Sequence, residues 1–260
     1  MSSYTNTLDS INTFVQNKQY EKVITKCTEL FIAYPLRNEC LSILFNAYNN
    51  INDPKKTITG LKSLIKQTPP DLISPYCILY NELSTVYVKN NKHNLAIDCF
   101  KVIISKKNDI PDIYNNMSLC YNVLKEYNKS MVCLNISLRL NKNDNIYSRL
   151  GAVLLYVKKY HESITYYESI KNPHPDELYN KSFPYLATKQ YLIGFKLYEN
   201  RLDSNRICSQ TNLISRVEVA IPYWNGIDSC NHLMIIYEQG IGDNIQYFRF
   251  IIELSKLHPH

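Results

Sequence analysis

Glycine is scarce in this chain, with six residues in 260, about 2% against the ~7% usual for soluble domains. Hairpin turns lean on glycine for positive φ, so the scarcity excludes a turn-rich β-sandwich or barrel. Three of the six, Gly226, Gly240 and Gly242, fall in the last 35 residues, which sets that end apart from the rest. No stretch approaches the ~18 uninterrupted apolar residues of a membrane-spanning helix. The N-terminus, MSSYTNTLDS, has no basic patch leading into an apolar run. A cytoplasmic protein without membrane association is expected.

Motifs for metal and redox chemistry are also missing. Eight cysteines form no C-x-x-C pair, and the six histidines include no H-E-x-x-H and no i,i+4 pair. Cys27, Cys99, Cys120 and Cys133 instead fall on apolar helical stripes, which reads as reduced, buried thiols rather than disulfides or zinc ligands. No metal and no cofactor is expected.

The net charge of +6 is unevenly spread: residues 217–260 hold two basic and five acidic residues, a net of −3, leaving +9 for the first 216. A basic surface attracts acidic partners or nucleic acid. Here the lysines occur singly or in pairs such as Lys106-Lys107 and Lys158-Lys159, in helix-end and loop segments where solvated lysine is ordinary. Nucleic acid is therefore not an expected partner.

What the chain does have is self-similarity. Tyr80-Asn-Glu-Leu-Ser-Thr-Val-Tyr87 is matched by Tyr114-Asn-Asn-Met-Ser-Leu-Cys-Tyr121, an offset of 34 residues. A third copy runs from Tyr147 through Leu150, Gly151 and Leu154 to Tyr160 and Ser163. One marker residue at each helix-to-helix turn gives the series Tyr20, Pro54, His93, Tyr127, Tyr160 and Tyr191, with steps of 34, 39, 34, 33 and 31. Within each copy apolar residues recur three and four apart, as in Leu83, Val86, Tyr87, then Ala96, Ile97, Phe100, Ile103. This is the pattern of two amphipathic helices joined by a short polar turn. A small residue recurs inside each helix where backbones must approach: Ser84, Ser118, Gly151 and Ser182 in first helices, Ala96, Ser130, Ser163 and Gly194 in second helices. An all-α array of six helical hairpins is predicted.

With Pro35, Pro69 and Pro175 ending hairpins, this combination resembles the tetratricopeptide (TPR) repeat over roughly residues 4–203. The expected organisation is two degenerate hairpins over 4–76, four hairpins over 77–203, a linker over 204–216, and the start of a second domain over 217–260. The departures from the repeat are specific. Ile11 and Phe45 stand where a small residue is usual, implying that the first two helix pairs splay or shift. Five extra residues near Asp71 to Pro75 lengthen one connection, and Pro184 should kink the first helix of the last hairpin.

The resemblance implies an α-α superhelix whose first helices line a groove that holds a protein or an extended peptide. On the exposed flank of those helices lie Asn46, Asn49, Asn50, Asn81, Asn115, Asn116, Asn122, Arg149 and Asn180. An asparagine amide donates to and accepts from a peptide backbone at once. The row resembles the asparagine ladder of TPR-bearing glycosyltransferases. It is also what an AT-rich coding sequence, rich in Asn, Ile, Lys and Tyr, would produce.

Near the end the pattern changes. His232-Leu-Met-Ile-Ile-Tyr237 reads as a short strand, Glu238-Gln-Gly-Ile-Gly-Asp243 as a turn permitted by Gly240 and Gly242, and Asn244–Lys256 as a helix. A strand, a turn and a helix open a Rossmann-like α/β domain. Phe195-Lys-Leu-Tyr-Glu-Asn-Arg201, Trp224-Asn-Gly226 and Glu238–Arg249 together resemble the junction in TPR proteins that continue into a heptosyltransferase-like, GT-B glycosyltransferase domain. The resemblance makes Asp243 a candidate acceptor base; the residue alone fits equally a helix cap. One β-α unit cannot bury both faces of a sheet. The expectation is a truncated chain, half of a split gene or a degraded enzyme, with a nucleotide sugar as partner only where the missing domain is present.

Overall fold

The computed structural model describes residues 2–204 together with Glu253 and Lys256. The described residues fall into two compact units divided between Ile146 and Tyr147, each taken here by itself. Among them are twelve α-helices and no strand. In chain order these are α1 (Ser2–Gln16), α2 (Tyr20–Ala33), α3 (Glu39–Ile51), α4 (Pro54–Gln67), α5 (Ile73–Lys89), α6 (His93–Lys106), α7 (Pro111–Val123), α8 (Tyr127–Leu140), α9 (Asp144–Tyr156), α10 (Tyr160–Glu168), α11 (Pro175–Ala187) and α12 (Tyr191–Tyr198), with a 3₁₀ turn over Glu199–Asp203. The strand, turn and helix expected over 217–260, with Gly240, Gly242 and Asp243, lie outside the described residues, as does nearly all of the expected linker.

Every marker residue read from the sequence is the first residue of a second helix. The turn before each has one shape. Lys18, Asn52, Asn91, Lys125, Lys158 and Lys189 all have positive φ, between 53° and 62°, and each stands two residues ahead of its marker. Five of the six turns are closed by the same pair of backbone bonds. At the end of α7, Glu126 N–H donates to the Tyr121 carbonyl at 2.8 Å and Lys125 N–H to the Asn122 carbonyl at 3.0 Å. This double closure satisfies carbonyls that the helix end would otherwise leave open. The sixth turn has the simpler single bond, Asn52 N–H to the Tyr48 carbonyl at 3.2 Å, and Asp53 then caps α4 through Lys55 and Lys56 N–H.

The packing follows the small residues. Ser84, Ser118 and Ser182 in first helices, and Ala96, Ser130 and Ser163 in second helices, are all fully enclosed. Each first-helix residue lies twelve positions before its second-helix counterpart. In two hairpins the pair is hydrogen-bonded: Ser130 Oγ donates to the Ser118 carbonyl at 3.0 Å, and Ser163 Oγ to the Gly151 carbonyl at 2.7 Å. A Cβ on Gly151 would lie 2.7 Å from the Tyr167 ring, and one on Gly194 would press the Leu186 side chain at 2.6 Å. Close approach of the two helices therefore fixes residue size at these positions.

The first two hairpins solve the same problem differently. In hairpin one the equivalent pair is Ile11 and Val23, bulky and fully enclosed. In hairpin two Phe45 is half-buried, and one turn along α4 from the equivalent position the Tyr48 hydroxyl packs against Gly60, where a Cβ would lie 1.9 Å from it. The one continuous core of the first unit is built from apolar residues of α1 to α8.

Two expectations are corrected. Of the five extra residues near Asp71 only one lengthens the connection, 68–72 against 107–110; the other four extend α5 to 17 residues where α3 and α7 have 13. An added helical turn supplies its own backbone hydrogen bonds, which an exposed loop of the same length would not, and Pro75 falls in the first turn where it displaces no bond. Pro175 does not end a hairpin but opens α11 as its first helical residue, where a missing N–H costs nothing. α11 runs on through Pro184, whose carbonyl accepts from Thr188 N–H at 3.0 Å.

Candidate functional site

In the first unit the candidate face is built from the solvent-side flanks of α3, α5 and α7. Adjacent first helices meet there: Lys89 Nζ on α5 donates to Asn49 Oδ1 on α3 at 3.2 Å. The asparagines of α3 are occupied internally, since Asn50 Nδ2 donates to the Asn46 carbonyl and side-chain oxygen at 2.8 and 2.9 Å. Those of α7 are not. The Oδ1 atoms of Asn115 and Asn122 are enclosed and accept no hydrogen bond. An enclosed acceptor without a donor costs about 1–3 kcal/mol.

Register explains why these residues fall together. Asn115, Leu119 and Asn122 are spaced i, i+4, i+7 and share one stripe of α7, with Asn116 and Val123 beside it. Leu119 and Val123 are large apolar residues left 41% and 60% exposed. The face of α7 thus alternates uncommitted amides with exposed aliphatic surface. Asn81 on α5 sits at the register position of Asn115, and its own carbonyl is held by Ser84 Oγ at 2.6 Å.

The sequence reading missed Glu82. It occupies on α5 the position that Asn116 occupies on α7, eleven residues before the marker, and the repeat register alone would have found it. Glu82 is half-buried; burial raises its carboxyl pKa above the ordinary glutamate range, and Lys89 partly offsets this. Leu119 and Val123 were also missed, because an apolar residue in an amphipathic helix is normally assigned to the core.

In the second unit the same register position is taken by Arg149 on α9 and Asn180 on α11. Arg149 is half-buried, and burial lowers its guanidinium pKa. Tyr156, two turns further along α9, is 64% exposed. Asn180 lies four residues before Pro184, which has no N–H to donate back to the Asn180 carbonyl. The segment Phe195–Arg201 packs within this unit. Tyr198 packs against Tyr179 and Phe183, with ring centroids 5.3 and 6.2 Å away, and Arg201 lies over the Tyr198 ring at 4.6 Å while pairing with Glu199 at 3.0 Å. Its conspicuous residues, Tyr198 and Arg201, are thereby engaged in packing and pairing.

The cysteine stripes are core. Cys27, Cys99, Cys120 and Cys133 are buried free thiols, as are Cys40 and Cys77. Burial pushes Cys27 and Cys99 up to about 12 and Cys120 and Cys133 up to about 11, which disfavours the thiolate that metal binding or nucleophilic attack requires. Among the described residues no group of three or more His, Cys, Asp or Glu side chains is placed to hold a metal ion. No described helix is long and apolar enough to cross a membrane.

Solved structures show what this arrangement is like. BtubC (BKLC) from P. vanneervenii superposes with a TM-score of 0.60 at 12% identity, covering 84% of this chain and 96% of that one. MamA gives 0.57 at 16% identity, covering 76% and 100%. YrrB, described as a TPR protein with an unusual peptide-binding site, gives 0.56 at 14% identity, covering 71% and 96%. The fold is that of a TPR solenoid. No known family profile and no curated protein matches the sequence.

Proposed function

We propose that this TPR chain is a cytosolic scaffold that holds an extended peptide segment of another protein on its first-helix face. The observation that carries the reading is the α7 stripe, where the enclosed and unbonded oxygens of Asn115 and Asn122 flank exposed Leu119. Both asparagines are half-buried, so rotation about χ2 brings the oxygen to the open side without breaking a bond. A peptide N–H placed there recovers the acceptor's missing partner, and Leu119 and Val123 bury apolar surface against the peptide's side chains. Within the first unit Asn81 repeats the register position of Asn115 and Asn116 lies beside it; Arg149 and Asn180 hold the position of Asn116 in the second unit. The YrrB description supports peptide binding as a use of this fold.

The test begins with a random peptide library selected on the immobilised chain, followed by fluorescence polarisation of the enriched peptides. Asn115→Ala combined with Asn122→Ala should weaken binding about tenfold, the worth of one to two hydrogen bonds, while raising the melting temperature, since two enclosed acceptors without donors are removed. Failure to enrich any peptide, or equal binding by the double variant, overturns the reading.

A second reading rests on the three ordered motifs from Phe195 to Arg249: the solenoid is the N-terminal part of a nucleotide-sugar-dependent glycosyltransferase, with Asp243 as acceptor base and the Gly240 and Gly242 turn shaping the acceptor site. It requires a further domain, and it is tested in a protein completed with that domain. There Asp243→Asn should lower sugar transfer by roughly 10²- to 10⁴-fold while folding normally; transfer at the parent rate makes Asp243 a cap.

A further inference from the structure

The first unit holds a cavity to which the extra turn of α5 contributes Tyr76. It lies between α4, α5 and α6, with Tyr76, Tyr80, Leu83 and Tyr87 lining it along α5, and has a volume of about 570 Å³, inside the range of small-ligand and side-chain pockets. Its floor is apolar and aromatic. Tyr76, which belongs to the added turn, packs on Tyr80 with ring centroids 4.9 Å apart, and Ile65 and Leu95 complete the walls. Leu95 is 45% exposed although it lines the cavity.

The rim is cationic. Lys62 and Lys66, one turn apart on α4, both line the opening and are exposed, and neither has an ion-pair partner among the described residues. One carboxylate shares the lining, Asp98, which pairs with Lys101 Nζ of its own helix at 3.5 Å. Two like charges at i,i+4 repel each other, and an anion between them removes that repulsion.

We propose that this cavity is a docking site for an acidic linear segment of a partner protein, whose single aromatic side chain packs against the Tyr76–Tyr80 ring pair while flanking carboxylates pair with Lys62 and Lys66. Offset or edge-on ring contact with the two tyrosines supplies the anchor. The two lysines outnumber the single carboxylate of the lining, Asp98, and select the charge of the residues on either side. The lining shares no residue with the α7 stripe.

The probe is the acetylated and amidated pentapeptide Glu-Glu-Phe-Glu-Glu, titrated into the ¹⁵N-labelled full chain and followed by amide NMR. Saturable shifts should appear at α4, at the start of α5 and on α6. Replacing the probe's Phe by Ala, or its four Glu by Lys, should each weaken binding about tenfold or more. Lys62→Glu with Lys66→Glu, both exposed positions, should do the same without changing the melting temperature and should restore binding of the lysine-flanked probe. No saturation by about 1 mM probe, shifts centred on α7 instead, or indifference to the charge reversal would each overturn the proposal; shifts on α7 alone would leave only the first-helix face as a peptide site.

Discussion

Ser130 Oγ donates to the main-chain carbonyl of Ser118 at 3.0 Å, joining the two helices of a hairpin through the narrowest point of their contact. Ser163 makes the same bond to Gly151 at 2.7 Å in the next hairpin, across twelve residues in both cases. Because these hydroxyls are fully enclosed, Ser130→Ala and Ser163→Ala should each lower stability by about 0.5–1.5 kcal/mol. Ala96 holds the corresponding place in the hairpin before, and Ala96→Leu should cost roughly 1–3 kcal/mol by overpacking. Urea unfolding midpoints check all three; a midpoint unchanged in Ala96→Leu refutes the assigned register.

The hairpin turns place lysine or asparagine where glycine is the relaxed choice. Lys125 has φ 59° and Lys158 φ 62°, conformations that cost an L-residue about 1–2 kcal/mol. Lys125→Gly and Lys158→Gly should each stabilise the chain by about 0.5–1 kcal/mol after the glycine's greater freedom in the unfolded state is subtracted. Asn52→Gly should gain less, since asparagine tolerates this region. Calorimetry on the three variants tests the ranking.

Glu82 has a pH signature. Its folded-state pKa is raised by burial, so the folded protein binds this proton more tightly than the unfolded chain, and stability falls as pH rises from the unfolded glutamate pKa of about 4.3 through the folded value. Glu82→Gln removes the penalty. It should raise the melting temperature at pH 7 and leave it nearly unchanged at pH 4, and a larger gain at pH 4 than at pH 7 would contradict the assignment.

Thiol reactivity reports on the core. Alkylation needs the thiolate, and Cys27 and Cys99 are buried with pKa values pushed up to about 12. In the native chain at pH 8 their labelling by iodoacetamide, located by peptide mass mapping, should occur only at the rate of unfolding and accelerate sharply above the urea midpoint. Rapid native labelling of either would show that its stripe is not core.

The hairpin boundaries were legible in the sequence because they rest on local chemistry. Tyr20, Pro54, His93, Tyr127, Tyr160 and Tyr191 each begin a second helix, as their spacing implied. The αL residue two positions ahead escaped notice, because Lys18 or Lys125 carries no glycine signal and only the closure of the preceding helix imposes positive φ. Of the candidate face, the asparagines were legible as residue types on exposed flanks. Their states were not: Asn46 and Asn50 bond each other, Asn49 meets Lys89, and Asn115 and Asn122 are left without donors.

The sequence by itself determined helix periodicity, hairpin count and the small residues at the crossings, since each depends on spacing along one chain and on side-chain volume. Tertiary structure alone decided where the five extra residues near Asp71 went. Read linearly they lengthen a connection; folded, four of them become a turn of α5, because a helix satisfies its own backbone polar groups and Pro75 fits its first turn. That choice brings Tyr76 onto Tyr80 and places both beside Lys62 and Lys66 at one cavity, a juxtaposition of residues from different helices that no one-dimensional spacing encodes.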